Sequence, residues 1–168
     1  MLRPLYSPQN KFEIGLDEAG RGPIYGRVYV GAVICPKDIA VCTPASTRRT
    51  KKNPELNMNW ANIIDSKKIK KHEIMHLCSE FIKANSVAWS IQYVEPKRID
   101  EINIRQAVFE AMHKCIADLI RQIGCANEMF LLVDGSDFKT FPVYIESENR
   151  MHSMPFETVV GGDNLYLS

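Results

Sequence analysis

Residues 15–22 read Gly-Leu-Asp-Glu-Ala-Gly-Arg-Gly and place two adjacent carboxylates just before an arginine held between glycines. Upstream, apolar residues alternate with polar or small ones from Phe12 to Leu16, which is the period-two pattern of a half-buried strand. Asp17 and Glu18 therefore come at the end of a predicted strand. Successive strand side chains point to opposite faces, so both reach one site only where the backbone turns.

The second half of this motif is suited to a bound phosphate. Gly20 and Gly22 permit a sharp turn and let main-chain N–H groups approach a ligand closely. Arg21 carries a planar guanidinium whose donors match a phosphate. The alternative is an ordinary turn with solvated charges. Three charged residues and three glycines in eight positions favour a functional site.

Length and composition indicate one soluble domain that spans residues 1–168. Hydrophobic residues make up 45% of the chain and charged residues 24%, as in globular proteins. No apolar run approaches the ~20 residues of a membrane helix, and residues 1–10 lack the features of a signal peptide. We therefore expect no membrane partner and an intracellular location, cytoplasmic or, in a eukaryote, nuclear. The five scattered cysteines are expected to be reduced thiols.

The net charge of +1 hides an asymmetry along the chain. Residues 1–83 hold 14 Lys and Arg against 8 Asp and Glu, whereas residues 84–168 hold 7 against 12. This distribution fits a phosphate-binding face beside a carboxylate-rich metal site. A mixed, solvated surface is the alternative for most of these charges.

Hydrophobic periodicity predicts strands first and then helices alternating with strands, which indicates an α/β or α+β layer on a mixed central sheet, and we expect the α/β class. Residues 1–11 form a loose lead-in, and residues 37–62 form a long loop whose basic stretch, residues 43–53, is either solvated or a further phosphate contact. The predicted strands are residues 12–16, 28–34, 88–94, 129–133, 141–145 and 158–160, and the predicted helices run from the Asp65-Ser66 cap to residue 84 and from about residue 100 to Gly124.

Two further carboxylates stand where strands end. Asp134 follows an apolar run and precedes Gly135, and Asp163 follows a short apolar run and two glycines. Hydrolysis of a phosphodiester by two metal ions needs several carboxylates around ions about 3.5–4 Å apart, and Mg²⁺ prefers hard oxygen ligands. Asp137 is the alternative to Asp134 as the third carboxylate.

The motifs together resemble those of the type 2 ribonuclease H family (ribonuclease HII) from residue 13 to the end of the chain. After residues 15–23, the matching segments are Asp65-Ser66-Lys67-Lys68-Ile69, Asn103, Val133-Asp134-Gly135 and Gly162-Asp163, in the family's order. The resemblance implies a ribonuclease H-like fold, with a central sheet flanked by helices. It also implies a two-metal site for Mg²⁺ or Mn²⁺ with Asp17, Glu18, Asp134 and Asp163 as catalytic ligands.

The implied activity is hydrolysis of the RNA strand of RNA–DNA hybrids, and of single ribonucleotides in duplex DNA, leaving 3′-hydroxyl and 5′-phosphate ends. A 2′-hydroxyl distinguishes RNA from DNA at such a site. The implied substrate contacts are Gly20, Arg21, Gly22, Ser66, Lys67, Lys68 and Asn103, although Asn103 is alternatively a local helix cap. The sequence leaves open whether the chain has a protein partner.

The resemblance weakens at the C-terminal end. Gly161 stands where the family usually has lysine. The family's next helix and its substrate-stacking tyrosine would lie beyond Ser168. A non-catalytic nucleic-acid-binding fragment is therefore the first alternative function.

A second alternative is a zinc hydrolase, because His72-Glu73-Ile74-Met75-His76 matches H-E-x-x-H. Helical spacing places His72, Glu73 and His76 opposite the apolar face of their helix. A solvated helix face is therefore the preferred interpretation.

Overall fold

The structure is a computed structural model, and it describes residues 5–23, 25–37, 58–60, 63–64 and 66–162. Within these ranges two strands come first, then a helix, a strand and two helices, and finally four strands. The strands are β1 (Phe12–Ala19), β2 (Val28–Ile34), β3 (Ala88–Val94), β4 (Met129–Asp134), β5 (Pro142–Ile145), β6 (Arg150–Ser153) and β7 (Phe156–Val159), and the helices are α1 (His72–Asn85), α2 (Pro96–Ile102) and α3 (Ile104–Ile123).

Five of the strands form one mixed sheet in the order β3-β2-β1-β4-β7, and β5 and β6 form a separate hairpin. Strands β1, β2 and β3 are antiparallel neighbours, whereas β1 pairs with β4, and β4 with β7, in parallel. The predicted α/β class and mixed central sheet are confirmed. The parallel pairs bring the carboxyl ends of β1, β4 and β7 to the same edge of the sheet.

One face of the sheet packs against α3 and forms the core. Side chains from both layers are fully buried there, including Ile14, Val30, Leu131 and Ile116. The 20 residues of α3 have the apolar spacing of an amphipathic helix, and Gly124 ends the helix in the left-handed conformation at φ 79°. Burial of these aliphatic side chains is the main stabilising term of the fold.

The opposite face of the sheet lies towards α1 and is only partly covered. A cavity of about 420 Å³ lies between them, lined by sheet residues such as Val33 and Leu132 and by Met75 and Ile82 of α1. Large apolar side chains remain exposed around the cavity, and Ile91, which lines it, is 52% exposed. The two faces of the sheet therefore differ sharply in burial.

Helix α1 begins later than the sequence predicted. The segment Ser66–Lys68 is a single 3₁₀ turn, and the α-helix starts at His72. Lysines occupy positions 67, 68, 70 and 71, and positive charge is unfavourable at the N-terminus of a helix because of its dipole. Asp65, the other predicted cap residue, lies outside the described residues. The predicted apolar face of α1 does turn inward, with Cys78 buried.

The predicted second helix is broken in two at Asn103. Its predicted start was near residue 100, but α2 begins at Pro96, where proline suits the first helical turn. Asn103 then interrupts the helix with φ 67° and ψ 161°. Such a backbone is rare for a residue with a side chain and costs about 1–3 kcal/mol.

The N-terminal segment is tied to the sheet by a buried carboxylate. Glu13 is 2% exposed and accepts hydrogen bonds from the main-chain N–H groups of Tyr6 and Ser7 and from the Asn10 side chain, at 2.6–2.9 Å. Tyr6 also stacks on Phe130. Residues 5–10 are therefore held against the sheet, whereas the sequence predicts a loose lead-in over residues 1–11.

Buried thiols account for much of the cysteine content. Cys35, Cys78 and Cys115 all have buried side chains. Burial, with a contribution from the Glu13 carboxylate, raises the pKa of Cys35 to about 12, and burial raises the pKa of Cys115 to about 11. These thiols are protonated at neutral pH and serve as small core side chains.

None of the helices in the described part of the chain has the length and apolar character needed to cross a membrane.

Candidate metal and phosphate site

Asp17 and Asp134 occupy equivalent positions on adjacent parallel strands. The parallel ladder pairs Leu16 of β1 with Val133 of β4, and each aspartate is the next residue on its strand. Neighbouring strands lie about 4.8 Å apart, and residues opposite each other project to the same face. Both aspartates line the cavity beneath α1. The structure thus brings together two carboxylates that are 117 positions apart in the sequence.

The side chains of Glu18 and Asp17 project to different faces of the sheet. Both lie inside the strand, because β1 stays paired with β2 as far as Ala19. The prediction that the strand ends at these carboxylates is correct only on the β4 side, where the described pairing ends at Leu16. By strand alternation Glu18 faces away from Asp17. Its Oε1 instead lies 3.2 Å from Nη1 of Arg21.

The loop after β1 depends on Gly20. This glycine has φ 89°, and a Cβ built on it would lie 2.7 Å from the main-chain oxygen of Arg27. A side chain would therefore both strain the backbone and clash with the start of β2. Gly22 is different, because a Cβ there would meet no atom within 4 Å. Packing requires the first glycine of the Gly-Arg-Gly motif, but not the second.

The end of β7 is fastened to the end of β4 beside Asp134. The Gly162 N–H donates a 2.9 Å hydrogen bond to Oδ1 of Asp134, and the Gly135 N–H donates to the main-chain oxygen of Val159 at 3.0 Å. Asp163 follows directly in the sequence but lies outside the described residues. Gly161 has φ 73°, a conformation that a lysine at this position would adopt only with strain.

The other predicted contact residues lie on two segments. Ser66 lines the same cavity as Asp17 and Asp134, and the exposed Lys67 and Lys68 follow it in the 3₁₀ turn. Asn103 accepts a hydrogen bond from the Gln106 N–H at 3.1 Å, so it is the N-cap of α3. Asn103 therefore acts as a local helix cap, as the alternative interpretation predicted. The backbone of Asn103 is also strained, and such strain is often found at functional sites.

Asp137, the alternative third carboxylate, is already paired. It forms an ion pair with Arg105 at the start of α3. Asp137 does not line the cavity, whereas Asp134 does. This ion pair joins the loop after β4 to α3, and sequence reasoning missed it because the two residues are 32 positions apart.

The H-E-x-x-H motif lies on the outer side of α1. His72, Glu73 and His76 are all exposed, as the solvated-face interpretation predicted. Across the described residues, no group of three or more His, Cys, Asp or Glu side chains is close enough to hold a metal ion. A protein zinc site has at least three protein ligands. The zinc alternative therefore has no support in the described part of the chain.

The carboxylates at the sheet edge suit a divalent cation in their chemistry. Asp17 and Asp134 are hard oxygen donors of like charge side by side, and a shared cation relieves their repulsion. The described residues alone do not complete a metal centre, because Glu18 faces away and Asp163 is outside them. The predicted basic loop, residues 43–53, also lies outside the described ranges.

Comparisons with known proteins identify the relatives of this chain. A family model described as Ribonuclease HII matches residues 14–167. Ribonuclease HII of Bacteroides thetaiotaomicron is 36% identical over 168 residues, and that of Phocaeicola vulgatus is 37% identical. Both matches cover the whole of this chain but 66% of the relative.

Solved structures show the same fold. The crystal structure of Bst-RNase HIII in complex with Mn²⁺ matches with a TM-score of 0.61 and 15% identity, over 96% of this chain and 49% of that one. A point mutant of the same protein matches over 94% of this chain and 47% of its own, also with a TM-score of 0.61. At this level of identity the match supports the ribonuclease H-like fold alone.

Proposed function

Because this chain belongs to the ribonuclease HII family, we propose that it is a metal-dependent endonuclease of the RNA strand of RNA–DNA hybrids. Single ribonucleotides embedded in duplex DNA are a second proposed substrate. The chain spans 66% of the length of the relatives named above, so the activity of the whole protein is part of the proposal.

The observation that carries this proposal is the pair formed by Asp17 and Asp134. The two carboxylates come from adjacent parallel strands and line one cavity. Asp163 follows Gly162, whose N–H is bonded to Asp134, so the fourth proposed ligand is next in the chain to a residue of the site. We propose Asp17, Glu18, Asp134 and Asp163 as the catalytic carboxylates.

Divalent cations, Mg²⁺ or Mn²⁺, would be held by these carboxylates and would supply an activated water and charge stabilisation at the leaving oxygen. In-line attack of water on phosphorus breaks the bond to the 3′ oxygen, which leaves 3′-hydroxyl and 5′-phosphate ends. The role of the chain's own carboxylates is to fix the positions of the reacting groups on a rigid sheet edge.

The Gly-Arg-Gly loop is proposed to bind the nucleic acid next to the cut. Arg21 is 57% exposed and extends its guanidinium beside the Glu18 carboxylate. Gly22 has open space where a side chain would stand, so a ribose or phosphate has room to approach the main-chain N–H groups. Gly20 holds the loop in place. A donor near the 2′-hydroxyl would distinguish ribose from deoxyribose.

Two other segments are proposed to contact the backbone of the duplex. Ser66, Lys67 and Lys68 lie at the cavity or in the exposed turn beside it. Asn103 lies at the junction of α2 and α3. Lysines near the phosphates would add affinity that falls with salt concentration.

A cleavage assay tests the proposed function. The protein is incubated with Mg²⁺ or Mn²⁺ and one of three labelled substrates: an RNA–DNA hybrid, duplex DNA with one ribonucleotide, or plain duplex DNA. The first two are expected to be cut on the 5′ side of a phosphate, and plain DNA is expected to stay intact. Binding without cleavage under both metals would instead favour the non-catalytic binder.

A further inference from the structure

We propose that Tyr29 and Tyr93, here called the tyrosine pair, form an aromatic contact for the sugar–phosphate backbone of the nucleic acid, beside the sheet edge that carries Asp17 and Asp134. This inference rests on the proposed function of the same site, because it extends the surface on which the substrate lies. The contact requires no metal ion, since both side chains are uncharged and bind the nucleic acid directly.

The register of the sheet places the tyrosine pair on the same face as the two aspartates. In the ladder between β1 and β2, Asp17 lies opposite Gly31, and Ala19 lies opposite Tyr29. Tyr29 in turn lies opposite Tyr93 of β3. Residues two apart on a strand project to the same face and stand about 7 Å apart. The tyrosine pair is therefore one step nearer the Gly-Arg-Gly loop than Asp17 is, a distance of about two nucleotides of rise.

Both tyrosines are accessible to solvent. Tyr29 is 40% exposed and Tyr93 is 43% exposed, and their ring centroids lie 5.6 Å apart with an angle of 47° between the rings. On the same face of the sheet, Trp89 and Ile91 line the cavity beneath α1, but neither tyrosine does. The tyrosine pair thus presents an aromatic surface outside the cover of α1 and next to the proposed site.

Arg27 holds the tyrosine pair in position. Its Cζ lies over the ring of Tyr93, 4.4 Å from the ring centroid, and its Nη2 lies 2.7 Å from Oε1 of Glu95. Hydrogen bonds to Glu95 and to Tyr29 raise the pKa of Arg27 above its ordinary value. Arg27 therefore contacts both tyrosines, and Glu95 balances its charge. Because these side chains are already ordered, nucleic acid that binds them loses less free energy to the ordering of side chains.

The main chain of Arg27 also contacts the Gly-Arg-Gly loop. A Cβ built on Gly20 would lie 2.7 Å from the main-chain oxygen of Arg27, so the loop packs closely against the start of β2. The loop proposed to bind phosphate and the tyrosine pair are therefore parts of one surface. A nucleic-acid strand bound by the loop has the tyrosine pair as its neighbour on the sheet.

Tyrosine suits a sugar–phosphate backbone in two ways. Its ring packs against the apolar face of a sugar, and its hydroxyl donates a hydrogen bond to a phosphate oxygen. A phenol is both a donor and an acceptor, so Tyr29 can accept a hydrogen bond from Arg27 and donate another to a phosphate. Neither contact depends on the identity of a base. The tyrosine pair is therefore expected to add affinity without sequence preference.

The chain offers a matched control in Tyr144. This tyrosine is 52% exposed on β5, and its hydroxyl donates a hydrogen bond to Oδ1 of Asn149. Strand β5 contacts the turn Ala126–Glu128, which precedes β4, whereas Asp134 is the last residue of β4. Tyr144 is thus an exposed strand tyrosine at the end of β4 away from the proposed site, and its replacement tests whether the loss of any exposed tyrosine weakens binding.

Hybrid binding in EDTA tests the inference. The affinity for a labelled RNA–DNA hybrid is measured for the wild type, Tyr29→Leu, Tyr93→Leu and Tyr144→Leu, and urea unfolding checks that each variant is folded. Tyr29→Leu and Tyr93→Leu are each expected to weaken binding about fivefold or more, the lower end of the effect of removing an aromatic ring that stacks on nucleic acid. The slope of log affinity against log salt concentration is expected to stay unchanged, because the lost contact is uncharged. Tyr144→Leu is expected to bind like the wild type.

Chemical nitration of tyrosines in the wild-type protein gives a second readout that depends on no variant. Bound hybrid is expected to slow the nitration of Tyr29 and Tyr93 but not that of Tyr144. Equal nitration of the tyrosine pair with and without hybrid would overturn the inference, as would wild-type affinity in folded Tyr29→Leu and Tyr93→Leu.

The same experiments distinguish failure of this inference from failure of the proposed function. If the wild type binds hybrids but cleaves none with Mg²⁺ or Mn²⁺, the proposed function fails, and the affinities and the nitration rates still decide the role of the tyrosine pair. If the wild type cleaves hybrids and the leucine variants bind as it does, only the inference fails. A wild type that binds no hybrid would overturn both.

Discussion

Substitution of the two glycines that flank Arg21 should affect different properties: Gly20→Ala should lower stability, whereas Gly22→Ala should weaken the binding of nucleic acid. In Gly20→Ala the new Cβ would lie 2.7 Å from the Arg27 main-chain oxygen at a backbone φ of 89°. A non-glycine residue in the left-handed region costs about 1–2 kcal/mol. Relief of the clash requires a shift of main-chain atoms at the start of β2, and overpacking of this kind costs about 1–3 kcal/mol. We expect a loss of roughly 2–4 kcal/mol in the free energy of unfolding.

Gly22→Ala is the matched control for that change. Its Cβ would meet no atom within 4 Å, so the free energy of unfolding should stay within about 0.5 kcal/mol of the wild type. Its affinity for an RNA–DNA hybrid should fall, because the methyl group fills the space proposed for the ribose or phosphate. Urea unfolding followed by circular dichroism and hybrid titration by fluorescence anisotropy separate the two effects. Equal stability of the two variants would refute the packing difference between these glycines.

Three further predictions concern the fold. Ile116→Ala should lower the free energy of unfolding by about 2–5 kcal/mol, because this side chain is fully buried between α3 and the sheet. A loss below about 1 kcal/mol, measured by urea unfolding, would contradict this role in the core. Glu13 accepts the Tyr6 N–H on Oε2 and the Ser7 N–H on Oε1, and glutamine keeps only one of these two oxygens. Glu13→Gln should therefore cost about 1–3 kcal/mol and speed amide exchange at Tyr6 or Ser7; unchanged exchange protection at both would contradict the anchor. Burial raises the pKa of Cys35 from its ordinary value of 9.0 to about 12 in the folded chain, so the unfolded chain loses this proton first as pH rises. The contribution of Cys35 to the free energy of unfolding should therefore be constant well below pH 9 and should fall as pH rises towards 12. Urea midpoints measured from about pH 8 to about pH 10.5 should show this slope, and Cys35→Ala should reduce it.

The sheet could be anticipated from sequence because its strands have strong apolar patterns. The alternation before Asp17 and the apolar run before Asp134 predicted β1 and β4 to within a few residues. Strand β6 was missed, because Arg150–Ser153 is polar and pairs only within a hairpin. Short polar strands of this type take their structure from their partner rather than from their own pattern.

The helix boundaries were less predictable than the helices themselves. The predicted N-terminus of α1 is too early, because the lysines that follow the cap residue Ser66 are unfavourable in the first turn of a helix. The break at Asn103 depends on a strained backbone, which no propensity scale predicts. Such exceptions to local rules concentrate near functional sites.

The candidate site was predictable as a set of residues but not as an arrangement. The sequence order identified Asp17 and Asp134, and the parallel register then made them neighbours. The pairing of Glu18 with Arg21 and that of Asp137 with Arg105 could not be read from the sequence. Each depends on side-chain direction, which follows from the turn after β1 or from the packing of α3 beside the loop.

The measurement that tests the central claim most directly is cleavage of a labelled RNA–DNA hybrid by Asp134→Asn under single-turnover conditions, with hybrid affinity measured in parallel. The substitution keeps the size of the side chain and an oxygen able to accept the Gly162 N–H, but removes the charge proposed to hold the cation. We expect a loss of cleavage of about a thousandfold or more, with hybrid affinity within about threefold of the wild type. A cleavage rate within about tenfold of the wild type would contradict the proposed role of Asp134.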